Sequence, residues 1–176
     1  TSDVSRAGPA RLASHKFTLL HSGIVYPAER DPTQLFVALG EMKAQGRTDS
    51  GNLTLKVRFR AAVHDEWLRG LATQHGVEDM IELLPPLPYR EALEEMLRAD
   101  GLLVMQASNC NEQIPAKIYD YLRAGRPIVC LSDPEGDTCG ALRLAGIAST
   151  ARLDDAQGLA ALLNRVFTAE GPSLVA

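Results

Sequence analysis

The sequence predicts an α/β fold built on a doubly wound, Rossmann-like parallel sheet of about six strands. From Phe17 onward, short apolar runs of strand length alternate with segments whose apolar residues recur at helical spacing. The connections between them are short enough for right-handed crossovers between parallel strands. The 176 residues are 45% hydrophobic and 23% charged, which is ordinary for one globular domain.

The first predicted strand, residues 17–20, is followed by a loop and by a helix with a strong start signal. Asp31 is expected to cap this helix, with Pro32 at its first position. Gly46 is expected to end it. Its apolar residues fall on one face and predict the buried side: Leu35, Phe36, Leu39 and Met42.

Two further strand–helix units follow. The second strand alternates apolar and polar side chains, so we expect one buried and one wetter face. The predicted strands cover residues 53–60 and 80–84, and the predicted helices cover residues 65–75 and 89–98. The residues expected to point inward are Trp67, Leu68 and Leu71 in the first helix, and Ala92, Leu93, Met96 and Leu97 in the second.

Residues 101–105 are nearly all apolar, which predicts a central strand covered on both faces. After them the sequence predicts a helix beginning near Lys117, a strand over 127–131, a short helix over 139–145, a weak strand over 147–151 and a last helix over 154–167. In such sheets ligands bind beyond the carboxyl ends of the strands, where the strand order reverses. The loops after the first and fourth strands, which hold Gly23 and Glu112, are therefore expected to meet there.

The start of the Lys117 helix combines groups that suit a sugar-bearing pyrophosphate. Lys117 and the free amide N–H groups of the first turn can hold phosphate. Asp120, one turn further along, can accept hydrogen bonds from ribose hydroxyls, and Glu112 can orient a transferred sugar. The alternative is that Lys117 and Asp120 form a solvated helix pair while Glu112 only favours the helix N-terminus. A cation in the first turn opposes the helix dipole, which favours the functional interpretation.

These residues resemble the carboxyl-terminal half of GT-B glycosyltransferases, particularly the retaining group that includes relatives of sucrose and glycogen synthases. The hallmark of that group is two glutamates separated by seven residues, followed by a small-residue step, G-x-P and an apolar strand. Here the pattern is Glu112, seven residues, Asp120 and then Ala124-Gly125-Arg126-Pro127-Ile128-Val129. The likeness spans residues 17–167.

The resemblance extends to the first loop. His21-Ser22-Gly23 resembles the first phosphate loop of the group, and Arg30 stands where a basic residue grips the donor pyrophosphate. From the residues alone, His21 is either a core histidine or a donor contact. Pro85-Pro86 either shapes the nucleobase pocket or only stiffens a loop.

Three departures from the group stand out. Asp120 replaces the second glutamate, and Ile24 stands where many relatives carry arginine. The segment 60–64 lacks the common glycine-rich turn. Arg60 either supplies the missing positive charge or is a solvated strand end, and we expect the solvated strand end.

The resemblance implies a nucleotide-sugar donor-binding domain over residues 15–170, with a linker over 1–14 and a tail over 171–176. Glu112 would be catalytic, whereas Gly23, Arg30, Lys117 and Asp120 would bind the donor. The implied reaction transfers a sugar with retention from a UDP- or GDP-linked donor, with no cofactor and no metal at the site. The acceptor would bind an amino-terminal domain that this chain lacks, so we expect donor binding with little or no transfer.

Other classes are less well supported. The net charge of -4 argues against a nucleic-acid surface, and no apolar run approaches the roughly 20 residues of a membrane span. Three cysteines without C-x-x-C spacing predict reduced thiols and a cytoplasmic protein. Similar enzymes often serve bacterial surface polysaccharide or glycoconjugate synthesis, in peripheral contact with the inner membrane face. The remaining alternatives are a sugar-nucleotide 2-epimerase-like domain and a non-catalytic nucleotide-binding or interaction module.

Overall fold

The computed structural model describes residues 10–50, 53–107, 117–147 and 149–175, in which one sheet carries helices on both faces. The strands are β1 (Lys16–Ser22), β2 (Asp49–Ser50), β3 (Leu53–Arg60), β4 (Ile81–Leu84), β5 (Gly101–Met105), β6 (Ile128–Leu131) and β7 (Thr150–Ala151). The helices are α1 (Thr33–Ala44), α2 (Asp65–Gln74), α3 (Tyr89–Arg98), α4 (Lys117–Ala124), α5 (Asp137–Leu144) and α6 (Ala156–Val175), with a 3₁₀ turn at Glu78–Met80.

The sheet confirms the predicted doubly wound topology. Its parallel strands run β4-β3-β1-β5-β6-β7, so the strand order reverses between β1 and β5. The two-residue strand β2, which pairs antiparallel with the start of β3, was not predicted. The crevice beyond the carboxyl ends of β1 and β5 is the place where such sheets bind ligands.

The core has one layer on each face of the sheet. Alternate residues of a strand enter opposite layers, as Leu19 and Leu20 of β1 do. All of β5 is buried, which confirms that it is central. Strand β3 alternates as predicted, with Leu55 and Val57 among its buried residues.

The helices largely follow the predicted pattern, with differences at their ends. Helix α1 buries the predicted face, and the Asp31 carboxylate accepts a hydrogen bond from the Thr33 N–H at 2.9 Å, although the helix begins at Thr33. Helix α5 begins at Asp137 rather than at residue 139, because an acidic first turn suits the helix dipole. Helix α6 continues to Val175, beyond the predicted end at Phe167. None of the helices in the described ranges is long and apolar enough to cross a membrane.

The segment before β1 is fastened to the start of β5 by a buried carboxylate. Asp100 is 2% exposed, and its Oδ1 lies 2.7 Å from Nε of Arg11. Its Oδ2 accepts a hydrogen bond from the Thr18 N–H at 2.8 Å. Residues 10–14 are therefore held against the domain, and the linker boundary stays a prediction.

Asp100→Ala should destabilise the protein, because it leaves the Arg11 guanidinium and the Thr18 N–H without their acceptor. Breaking a buried pair costs about 3–5 kcal/mol, which for a chain of this size lowers Tm by about 10 °C. Thermal unfolding followed by circular dichroism measures this. The control is Asp154→Ala, which removes an exposed carboxylate 3.1 Å from Arg152 and should cost about 0–1 kcal/mol. Equal losses in the two variants would contradict the structural role of Asp100.

Candidate anion-binding site at the sheet reversal

The site begins where β1 ends. The chain turns at Gly23, whose φ of +129° is one that side-chain-bearing residues rarely adopt. The Gly23 N–H donates to the carbonyl of Arg60 at 2.9 Å, and the Ser22 N–H donates to the Tyr121 hydroxyl at 3.0 Å. The loop after β1 is thus tied on one side to β3 and on the other side to α4.

Helix α4 presents Lys117 and Tyr121 toward this loop, since residues four apart share one helix face. Tyr121 is fully buried, and burial raises the pKa of its phenol, so the hydroxyl stays protonated. The Lys117 Nζ lies 3.2 Å from the His21 Nε2. A Cβ atom on Gly23 would lie 2.8 Å from the same Nζ, so the absence of a side chain makes room for the ammonium.

Arg30 lies in the loop between β1 and α1. Its Nη1 donates to the carbonyl of Ile24 at 2.9 Å, and its guanidinium carbon is 5.4 Å from the centre of the Tyr26 ring. Its charge is close enough to lower the pKa values of both His21 and Lys117. The structure therefore brings Gly23, Arg30 and Lys117 together at one rim of the sheet, and their part in donor binding stays a prediction.

The site carries positive charge that nearby acids do not cancel. Burial, and then the charge of Arg30, lowers the pKa of Lys117 to about 7. Burial, and then the charges of Lys117 and Arg30, hold the pKa of His21 well below its usual range, so its imidazole is neutral. Within the described ranges, neither Lys117 nor Arg30 forms an ion pair with a carboxylate. Such a rim favours an anion.

Of the two predicted carboxylates, the described residues include Asp120, which forms its hydrogen bond away from this cluster. Asp120 accepts a hydrogen bond from the Tyr89 hydroxyl at 3.2 Å and borders a groove of about 170 Å³ between α3 and α4. Its hydrogen bond is thus to α3 and not to Gly23 or Lys117. Glu112 lies outside the described residues, so its catalytic role stays a prediction.

The expected solvated strand end at Arg60 is wrong. Arg60 is 9% exposed, and its Nε and Nη2 lie 3.0 and 2.6 Å from the carboxylate oxygens of Glu95. Its Nη1 donates to the carbonyl of Pro85 at 2.8 Å, and Glu95 also pairs with Arg58 at 3.1 Å. The charge of Arg60 is therefore neutralised by Glu95 inside the domain, and its hydrogen bond to Pro85 holds the loop after β4 in place.

This ion-pair cluster also corrects the predicted core of α3. Glu95 is buried, whereas Leu97, predicted as core, is 39% exposed. Glu95 lies three residues after Ala92 and next to Met96, so it falls within the inward face. The position of Glu95 on this face, together with the arginines on β3, was the feature of the sequence that could have predicted its burial.

The strand order defines a Rossmann-like domain, and solved GT-B glycosyltransferases contain a part with the same fold. WaaG, a glycosyltransferase involved in lipopolysaccharide biosynthesis, superposes with a TM-score of 0.64 at 15% identity, over 96% of this chain and 48% of WaaG. Anabaena HepE, solved with UDP-glucose, gives 0.63 at 17% identity over 91% of this chain and 41% of HepE. Sucrose-phosphate synthase from Thermosynechococcus elongatus gives 0.64 at 13% identity, over 93% and 39%.

The chain therefore spans less than half the length of each of these proteins. At these identities the likeness establishes the fold. No protein-family model and no curated protein sequence matches the chain.

Glu95→Ala should destabilise the domain, because it leaves the Arg60 guanidinium without its carboxylate. The expected loss is about 3–5 kcal/mol, or about 10 °C in Tm. The matched control is the neighbouring Glu94→Ala. Glu94 is 62% exposed and pairs only loosely with Arg90 at 3.7 Å, so its removal should cost about 0–1 kcal/mol. Denaturant and thermal unfolding of the two variants measure the difference, and a loss under 1 kcal/mol for Glu95→Ala would refute the buried network.

Proposed function

We propose that this chain is the nucleotide-sugar donor-binding half of a glycosyltransferase. The observation that carries the proposal is the convergence of Lys117, Arg30 and the turn at Gly23 where the strand order reverses. The fold supports it, because HepE, whose structure was solved with UDP-glucose, contains a half of the same architecture. The proposed donor is accordingly a UDP- or GDP-linked sugar.

The chemistry of the site suits a diphosphate. The Lys117 ammonium has three N–H donors, and Arg30 offers a planar fork that matches phosphate oxygens. Gly23 lets the backbone approach the phosphates closely. As the bond from the anomeric carbon to the diphosphate breaks, negative charge grows on the leaving group. Cations already in place stabilise that charge without reorganisation.

The rest of the proposal follows the family likeness. Asp120 would accept hydrogen bonds from the ribose hydroxyls, and Glu112 would orient the transferred sugar, with retention at the anomeric carbon. The acceptor would bind a separate amino-terminal domain, so this chain alone binds donor without transferring it. The proposed setting is bacterial surface polysaccharide or glycoconjugate synthesis in the cytoplasm, at the inner membrane face.

Calorimetry of this chain with UDP and with GDP tests the proposal. Lys117→Met should weaken binding about 10–100-fold, because a charge-assisted hydrogen bond contributes about 1.5–3 kcal/mol. Arg30→Ala should weaken it about tenfold. The control is Lys43→Met, because Lys43 pairs with Asp79 at 2.7 Å on the surface. This variant should bind UDP and GDP as the unsubstituted protein does. The proposal is rejected if neither diphosphate binds at millimolar concentration, or if Lys117→Met binds like the unsubstituted protein.

The affinity should also depend on pH through Lys117. Its pKa of about 7 in the free site rises when an anion binds, so binding above pH 7 takes up a proton. The affinity should therefore fall between pH 7 and 9, by up to about tenfold per pH unit. Of the neighbouring groups, His21 is already neutral and the Tyr121 phenol stays protonated in this window.

Calorimetry in two buffers of different ionisation enthalpy counts the protons taken up. UDP itself has lost its last phosphate proton, with a pKa of about 6, before this window begins. Lys117→Met should abolish the uptake. A pH profile that persists unchanged in this variant would show that another group titrates.

A further inference from the structure

His21 is fully buried at the end of the strand that leads into the candidate anion site. It is the penultimate residue of β1, the strand that borders the sheet reversal, and it is 0% exposed. Its ring packs near Phe59 of β3, with 6.0 Å between ring centres. Its Nε2 meets the Lys117 Nζ at 3.2 Å. The imidazole is thus a buried neighbour of the ammonium at the end of β1.

The direction of this hydrogen bond follows from charge. A protonated lysine can only donate, and a histidine facing it can accept only through an unprotonated ring nitrogen. Burial and two neighbouring cations keep the imidazole neutral. A neutral imidazole that accepts from the ammonium through Nε2 carries its proton on Nδ1.

A neutral acceptor has a consequence that a carboxylate would not have. An aspartate or glutamate at this distance would hold Lys117 equally well but would cancel its charge. The imidazole satisfies one of the three N–H groups and leaves both the charge and the other two donors available. The ammonium lies so close to Gly23 that a Cβ atom there would be 2.8 Å from its Nζ.

We propose that His21 is a positioning residue of the anion site, which holds the Lys117 ammonium over Gly23 through a neutral Nε2 so that its free N–H groups face a diphosphate. The inference deepens the proposed function and rests on it. His21 itself touches no ligand in this arrangement. The neighbouring charge that acts on both members of the pair is Arg30, from the loop after β1, and the same charge acts on the buried Tyr121 of α4.

A matched pair of amides tests the role. In His21→Gln the amide reaches about as far as Nε2 and can accept from Lys117, whereas the amide of His21→Asn is one methylene too short. Binding of UDP and of inorganic pyrophosphate is measured by calorimetry at pH 7, with thermal unfolding as the check on folding. We expect His21→Asn to weaken both ligands about tenfold and His21→Gln less than about threefold. His15→Asn, at an exposed histidine, should change neither.

A double-mutant cycle separates positioning from a general structural effect. If His21 acts through Lys117, then His21→Asn should have almost no further effect in a Lys117→Met background. An equal loss in both backgrounds, or equal affinities of His21→Asn and the unsubstituted protein, would overturn the role of His21 alone. Absence of binding by the unsubstituted protein would overturn the proposed function, and this inference with it.

The unsubstituted protein offers a second measurement. Nitrogen-15 NMR of the histidine side chains should show His21 as a neutral imidazole protonated at Nδ1 at pH 6, where Lys117, with a pKa of about 7, is mostly protonated. An imidazolium, or a proton on Nε2, would overturn the inference, because neither form can accept a hydrogen bond from Lys117.

Discussion

The candidate site depends on the attachment of α4 to the end of β1. Two contacts among the described residues contribute to it: the Ser22 N–H donates to the Tyr121 hydroxyl, and the Lys117 Nζ lies 3.2 Å from the His21 Nε2. Both are possible because β1 and β5 are neighbours in the sheet, so that the chain leaving β5 returns over the end of β1. The topology thus brings a lysine from the second half of the chain against a glycine from the first.

Two groups of cations at neighbouring strand ends serve opposite purposes. Arg60 and Arg58 are matched by Glu95, and the resulting network holds β3, the loop after β4 and α3 together. Among the described residues, Lys117 has only an uncharged acceptor, and its lowered pKa reflects the cost of holding a partly buried charge there without a carboxylate partner. A bound anion would offset that cost. For this reason the group that contains Lys117, and not the group of Arg58 and Arg60, has the properties of a binding site.

The sequence predicted the features that depend on local periodicity. The alternation of β3, the apolar β5 and the inward face of α1 were readable because each lies within one element. The burial of Glu95 in α3, in place of Leu97, was not readable in this way, because the arginine partners of Glu95 lie on β3. The motif similarly singled out Gly23 and Lys117. It left His21 open, because only the packing of α4 on β1 decides whether that side chain meets the ligand or the lysine.

Asp120 and Lys117 lie one turn apart on α4, and their hydrogen-bond partners lie on different elements, α3 and β1. Asp120 bonds Tyr89 at the start of α3, next to the loop that the Arg60 network holds in place. That loop follows β4, and β4 is two strands away from β1, a distance of about 10 Å across the sheet. A compact anion such as pyrophosphate would need only the Gly23 end of this span. In the proposed donor complex, a nucleoside diphosphate would place its phosphates at Lys117 and its nucleoside toward Asp120.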